Sequence, residues 1–142
     1  MTPTYITRRR VEFFETDLAG IVHFANYYRY MEMAEHEFFR SLGLQIHGTL
    51  PDGTVFGWPR VTASCSFHAP ARYDDEIEVC LTVLRRTARS LTTGYEIRRG
   101  ETVLATGEMK TAYCIIPSNG QLESADMPPE YAGRLGVGER PA

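Results

Sequence analysis

The chain has 142 residues, 43% hydrophobic and 23% charged, with a net charge of −3, a balance that suits one soluble domain around one core. The mildly acidic total gives no general field toward nucleic acid. No apolar run resembles a secretory signal or approaches the roughly 18 residues of a membrane span, so the expected setting is cytoplasmic, with no membrane insertion.

In chain order, residues 5 to 14 are rich in β-branched and aromatic types and read as a strand. Glu15-Thr16-Asp17-Leu18-Ala19-Gly20 breaks it with turn formers. Residues 24 to 42 read as a helix, because Phe24, Tyr28, Met31, Phe38 and Leu42 recur at steps of three, four and seven. Tyr27 and Ala34 widen that stripe, Arg29, His36, Glu37 and Arg40 lie opposite it, and Gly43 marks the stop. Glu35 is an acid inside the apolar stripe, so a hydroxyl, a basic group or a partner subunit is expected to hold it.

Residues 44 to 57 read as a loop. Strands then resume, with alternation at Val61, Ala63, Cys65 and Phe67, at Ile77, Val79, Leu81 and Val83, and at Leu91, Thr93, Tyr95 and Ile97. The longest alternation runs from Val103 to Ile115. Gly100 marks a hairpin before it, Asn119-Gly120 another turn, and Pro128-Pro129 the opening of a short last helix. One amphipathic helix with several antiparallel strands predicts an α+β layer architecture. Such a sheet leaves edges that need cover, so self-association is expected.

Cys65, Cys80 and Cys114 lack C-x-x-C spacing, and His23, His36, His47 and His68 lack a metal spacing, so no metal is expected. Cys65 and Cys80 fall within strands and read as buried thiols. Arginines cluster at Arg8-Arg9-Arg10, at Arg85-Arg86 with Arg89, and at Arg98-Arg99. They read as solvated strand ends or as landing sites for ligand phosphates.

The stretch from Asp17 to Tyr27 carries the chemistry. It sets an acid in a turn, then Gly20, then the start of the long helix. The first amides of a helix lack internal partners and bind anions. They would stabilise an oxyanion on an acyl carbonyl, while a carboxylate just upstream attacks that carbonyl or activates water. Gly20 lets backbone approach a ligand. The competing structural reading is that Asp17 only caps its turn.

The D-x-A-G-I-V-x-x-x-N-Y stretch at Asp17–Tyr27, with Glu32 beyond it, resembles the signature of the 4-hydroxybenzoyl-CoA thioesterase family. That family includes acyl-CoA thioesterases associated with the Tol-Pal system. The likeness continues at Pro70-Ala71-Arg72-Tyr73-Asp74-Asp75, at Arg85-Arg86, at Arg89-Ser90-Leu91 and along the last long strand, to about residue 116. It implies one hot-dog domain over residues 1–142: a long central helix wrapped by a curved antiparallel sheet. It also implies a homodimer whose sheets run together, commonly paired into a homotetramer, with active sites at the dimer interface.

Carried over by position, the resemblance makes Asp17 the catalytic acid and the Phe24 backbone amide the group that polarises the thioester carbonyl. Asn26, Tyr27 and Glu32 take motif positions that are structural or shape the pocket. Arg85, Arg86, Arg89 and Ser90 fall where CoA phosphates are met, across subunits if not within one. His23 either contacts the thioester or orients the loop. Trp58 stands where the 4-hydroxybenzoyl enzyme has a smaller residue, and either lines the acyl pocket or packs at an interface.

The expected reaction is hydrolysis of an aromatic or a short to medium acyl-CoA, without metal or cofactor, CoA being part of the substrate. Two alternatives remain. Asp17 and His23 invite comparison with hot-dog enoyl-CoA hydratases, although the Asn-Pro of that motif is missing. A non-catalytic acyl-CoA-binding module is the other, since fold does not fix function.

Overall fold

The computed structural model of the chain describes residues 2–117 and 120–136. Strand β1 (Tyr5–Arg10) leads through one 3-10 turn (Phe13–Glu15) and a loop into helix α1 (Phe24–Ser41). Short strands β2 (Gly48–Thr49) and β3 (Val55–Gly57) follow. The long strands β4 (Arg60–Phe67), β5 (Glu76–Arg86), β6 (Ser90–Arg99) and β7 (Thr102–Ala112) come next. Strands β8 (Cys114–Ile116) and β9 (Glu123–Ser124) and helix α2 (Pro129–Leu135) close the chain.

The main sheet is antiparallel in the order β1-β5-β6-β7-β4, and a small second sheet runs β2-β3-β8-β9. The layered α+β architecture is the one expected. Ile77, Val79, Leu81, Leu91, Ile97, Ala105 and Met109 turn inward from the central strands and are buried. Helix α1 lays Tyr27, Tyr30, Met31, Ala34 and Phe38 over them. At Gly107 a Cβ would lie 2.7 Å from the Met31 methyl, so the strand must be bare where helix and sheet touch. The helix ends as expected, with Gly43 at φ 72°. The buried stripe is rotated slightly from the expected one, because Phe24 is 60% exposed while Tyr27, Tyr30 and Phe39 are buried.

Several local expectations change. The first strand stops at Arg10 rather than residue 14, because the Glu12 amide donates to the Glu15 carboxylate (2.8 Å) and turns the chain. The expected loop at 44 to 57 contains β2 and β3, which pair with each other and carry β8. The long last strand breaks at Tyr113, where the chain passes from one sheet to the other. Cys80 is buried as expected, but Cys65 is only half-buried, because β4 is a sheet edge. Asn119 lies outside the described residues; Gly120 has φ 81°.

The two edges differ. Strand β1 is charged and pinned by Arg8–Glu78 (2.7 Å). Strand β4 spans eight residues, carries no charge after Arg60, and leaves Val61 and Phe67 about half exposed. An open edge of that kind is a template for pairing with another strand.

Glu35 is 1% exposed, and the basic group that holds it is Arg60, whose Nη1 donates to its carboxylate at 3.0 Å. A second guanidinium nitrogen donates to Glu32 (3.2 Å). Trp58 is buried at 6% exposure among Phe39, Tyr113 and Tyr131, with ring centroids 5.4 to 6.0 Å away. Helix α2 closes this aromatic cluster, and the Tyr131 hydroxyl donates to the Gln45 carbonyl (2.7 Å).

Candidate active site

The residues between β1 and α1 form a loop pinned at three points. The Asp17 amide donates to Ile21 O (2.9 Å), Val22 N to Ala71 O (2.8 Å), and His23 N to Glu15 O (2.9 Å). Gly20 closes the turn at φ 79°, with its amide donating to Asp17 O (2.9 Å). A Cβ there would meet nothing within 4 Å, so within this chain the turn conformation explains the glycine, and close packing does not.

Asp17 does cap its turn, since Oδ1 accepts from the Ala19 amide at 2.9 Å. Its residue is exposed, and Oδ2 has no hydrogen-bond partner among the described residues. The turn-capping role of Asp17 therefore uses one oxygen and leaves the other for chemistry to be tested.

At the helix start the donors can be followed one by one. His23 is the N-cap, and its Nδ1 accepts from the Ala25 amide (3.2 Å). The Asn26 amide turns back to His23 O (2.9 Å). The His23 amide is taken by Glu15. Phe24 is left as the helix-terminal residue whose amide has no partner among the described residues, and a free amide in the first turn is the donor an anion would find. His23 orients this end of the helix, its ring stacked on Phe24 at 4.6 Å.

Asp17 and Phe24 border one cleft of about 470 Å³. Apart from His68, its other walls are largely apolar, from Ile21, Val22, Tyr27, Phe67, Ala69 and Pro70. Tyr27 is buried, edge-on to Phe67 at 5.2 Å, and its hydroxyl accepts from the Ala71 amide (3.3 Å). Burial raises its pKa, so the phenol stays protonated with its own hydrogen available. His68 also borders the cleft, with Nε2 2.9 Å from the Thr106 hydroxyl; no motif in the sequence singles it out.

The remaining expected site residues are not gathered here. Asn26 lies buried beneath the loop, where Nδ2 donates to Glu15 O (2.7 Å) and Oδ1 accepts from Arg29 (2.7 Å). Trp58 does not line the cleft and is no open interface surface, because the aromatic cluster under α2 encloses it. Trp58→Ala should cost about 3–5 kcal/mol in urea unfolding, as for other large buried rings. Trp58→Phe should cost far less, because the buried indole N–H has no acceptor among the described residues to lose. Arg85, Arg86, Arg89 and Ser90 sit where β5 passes to β6, at the other end of a strand about 30 Å long. There Arg86 donates to Gly136 O (2.6 Å), Arg89 pairs with Asp126 (2.7 Å), and Ser90 bonds Thr87 (2.6 Å).

Known proteins share this fold. The family model described as the thioesterase superfamily matches residues 19–106. The chain belongs to that superfamily. A candidate esterase of Aquifex aeolicus is 35% identical over 120 residues, covering 84% of this chain and 90% of its own. The 4-hydroxybenzoyl-CoA thioesterase of Pseudomonas sp. (strain CBS-3) is 36% identical over 89 residues, covering 61% and 63%. The crystal structure of a 1,4-dihydroxy-2-naphthoyl-CoA thioesterase from Synechocystis superposes with a TM-score of 0.81 at 26% identity, covering 92% and 94%. The fold is thus the hot dog, and the chain is a thioesterase of the acyl-CoA thioesterase family. No helix among the described residues is long and apolar enough to cross a membrane.

Proposed function

We propose that the chain hydrolyses an aromatic or a short to medium acyl-CoA, with Asp17 as the catalytic carboxylate and the Phe24 amide as the carbonyl-binding donor. The observation that carries this reading is that one cleft is bordered both by a carboxylate oxygen and by a helix-terminal amide that have no hydrogen-bond partner among the described residues. A thioester carbonyl bound at the Phe24 amide gains negative charge where the helix end favours it. Asp17 Oδ2 then either takes a proton from the attacking water or attacks the carbonyl carbon, giving a mixed anhydride that water opens. The C–S bond breaks in both routes, and CoA leaves as the thiol.

The acyl class is supported by the cleft's size and apolar walls, and by a filled helix–sheet layer. Tyr30, Met31 and Ala34 are fully buried there, which leaves no room for a long chain beside these three side chains. CoA thioesters are intracellular metabolites, which accords with a cytoplasmic location.

The reading includes a homodimer joined through β4, with a homotetramer as its further assembly. If two β4 edges pair antiparallel about a two-fold axis, the Arg60 end of one copy meets the Phe67 end of the other. Arg60 pairs with Thr111, Thr111 with Leu91, and Leu91 with Arg86, so Arg60 marks the Arg85–Ser90 end of the sheet. Self-pairing would thus carry those residues of a second copy toward this copy's cleft. The phosphate-landing role of Arg85, Arg86, Arg89 and Ser90 is proposed in that form, between subunits.

The test is thiol release by the purified protein across acetyl- to palmitoyl-CoA and benzoyl-, 4-hydroxybenzoyl-, phenylacetyl- and crotonyl-CoA. Release from short or aromatic members is expected, with palmitoyl-CoA poor. Thermal stabilisation by acyl-CoA without release would favour a binding module, and loss of crotonyl absorbance without thiol would favour a hydratase.

A further inference from the structure

We propose that Glu15 is the positioning residue of this site: its buried carboxylate sets the aim of the Phe24 amide. The inference rests on the thioesterase reading above. Glu15 is only 6% exposed and holds four donors from four parts of the chain. Its main-chain carbonyl accepts from the His23 amide (2.9 Å) and the Asn26 side chain (2.7 Å). Its carboxylate Oε1 accepts from the Glu12 amide (2.8 Å) and the Tyr30 hydroxyl (3.0 Å). One residue therefore joins the end of the first strand's turn, the N-cap, and the first and second turns of α1.

Such a carboxylate is a poor device for stability alone. Burying a charge costs several kcal/mol, and an apolar residue of similar volume often serves as well or better. What Glu15 does provide is direction. By taking the His23 amide it removes the donor next to Phe24, while His23 itself satisfies Ala25 and Asn26. The Phe24 amide is thereby left open at the cleft. Tyr30 fixes the other side of the carboxylate. Its phenol is kept protonated by burial and then by the Glu15 charge, so it remains a donor across the working pH range. Without the carboxylate, the 3-10 turn keeps its main-chain bond from the Glu15 amide to Glu12 O (3.0 Å) but loses the capping bond from the Glu12 amide. The Glu15 carbonyl is then held less firmly, and the His23 amide competes for the incoming carbonyl oxygen.

The test compares wild type, Glu15→Gln, Glu15→Ala and Tyr30→Phe by steady-state thiol release and by amide hydrogen exchange at Glu12 and His23. An amide oxygen accepts both bonds that the carboxylate accepts, so Glu15→Gln should stay within about threefold of wild type in kcat, with wild-type exchange. Glu15→Ala should lower kcat about 100-fold, the scale of losing one oxyanion donor. Its KM should hold within about twofold, and its Glu12 and His23 amides should exchange faster. Tyr30→Phe, which removes one bond and leaves the carboxylate, should lower kcat about fivefold at unchanged KM.

Wild-type kcat in Glu15→Ala, or equal damage in Glu15→Gln and Glu15→Ala, would overturn the proposal. If Glu15→Ala does not fold, wild-type kcat in Tyr30→Phe overturns it instead. Should wild type itself release no thiol from any acyl-CoA, the thioesterase reading fails by itself. The exchange data then decide the positioning role, and full protection of His23 in Glu15→Ala counts against it.

Discussion

Asp17→Asn should bind acyl-CoA as wild type does and turn it over about 10²–10⁴-fold more slowly, the scale on which a positioned acid or base contributes. The substitution is nearly isosteric, and the amide oxygen of asparagine can still accept from the Ala19 amide that Oδ1 now holds at 2.9 Å. Gly20 and its amide bond to Asp17 O involve only main chain, so the loop has no reason to move. What is lost is the free carboxylate oxygen, the base or nucleophile of the proposed reaction. A fall in kcat at unchanged KM is the mark of an interaction made only in the transition state. Progress curves of thiol release, with melting temperature as a control for folding, read both quantities. Turnover in Asp17→Asn within threefold of wild type would remove Asp17 from the mechanism and leave it as a turn cap.

The features legible in the sequence are those written in local periods. Helix α1 was readable because its apolar positions repeat at helical steps and Gly43 stops it. Strands β5 and β6 and the hairpin at Gly100 were readable because alternation and turn chemistry lie within a few residues. The closeness of Asp17 to the helix start at Phe24 is legible for the same reason, because acid, glycine and helix start follow one another closely; the roles assigned to the two rest on the family resemblance and are proposed.

The remainder depends on partners far apart in sequence. Glu15 reads as part of a strand break, yet two of its four donors lie in the helix, Asn26 11 residues on and Tyr30 15 residues on. Strand β4 alternates as a core strand does, and only the order β1-β5-β6-β7-β4 makes it an edge. Trp58 could be weighed as a pocket wall because nothing nearby announces Tyr113 or Tyr131, which enclose it from distant segments. His68 reaches the cleft border through the end of β4, with no motif around it.

Arg60 is a further case of a distant partner, and its removal should be among the most damaging single changes to stability. Arg60→Met should destabilise the fold by about 3–5 kcal/mol near neutral pH, because it strands the buried Glu35 carboxylate without its cation. The side chain of Glu35 is 2% exposed, and its Oε2 already lacks a hydrogen bond. Burial is the largest influence on Glu35 and raises its pKa above the ordinary 4.5, while the charge and hydrogen bond of Arg60 oppose that rise and Glu32 adds to it. A carboxyl whose folded pKa is raised contributes stability that is complete below the ordinary value and is lost as pH climbs through the raised value. Removing Arg60 takes away both opposing influences, so the folded pKa rises further and the loss extends to higher pH. The deficit of Arg60→Met against wild type should therefore be the smaller at the more acidic of two pH values, toward the ordinary carboxyl value, and the larger at the more alkaline one, above the raised folded value. Urea unfolding at the two pH values measures it, and Arg60→Met/Glu35→Leu, which removes both charges, should recover most of the loss and flatten its pH dependence. A deficit of equal size at both pH values, unrelieved by Glu35→Leu, would mean that Arg60 contributes by packing its stem against α1 and not by neutralising a buried acid.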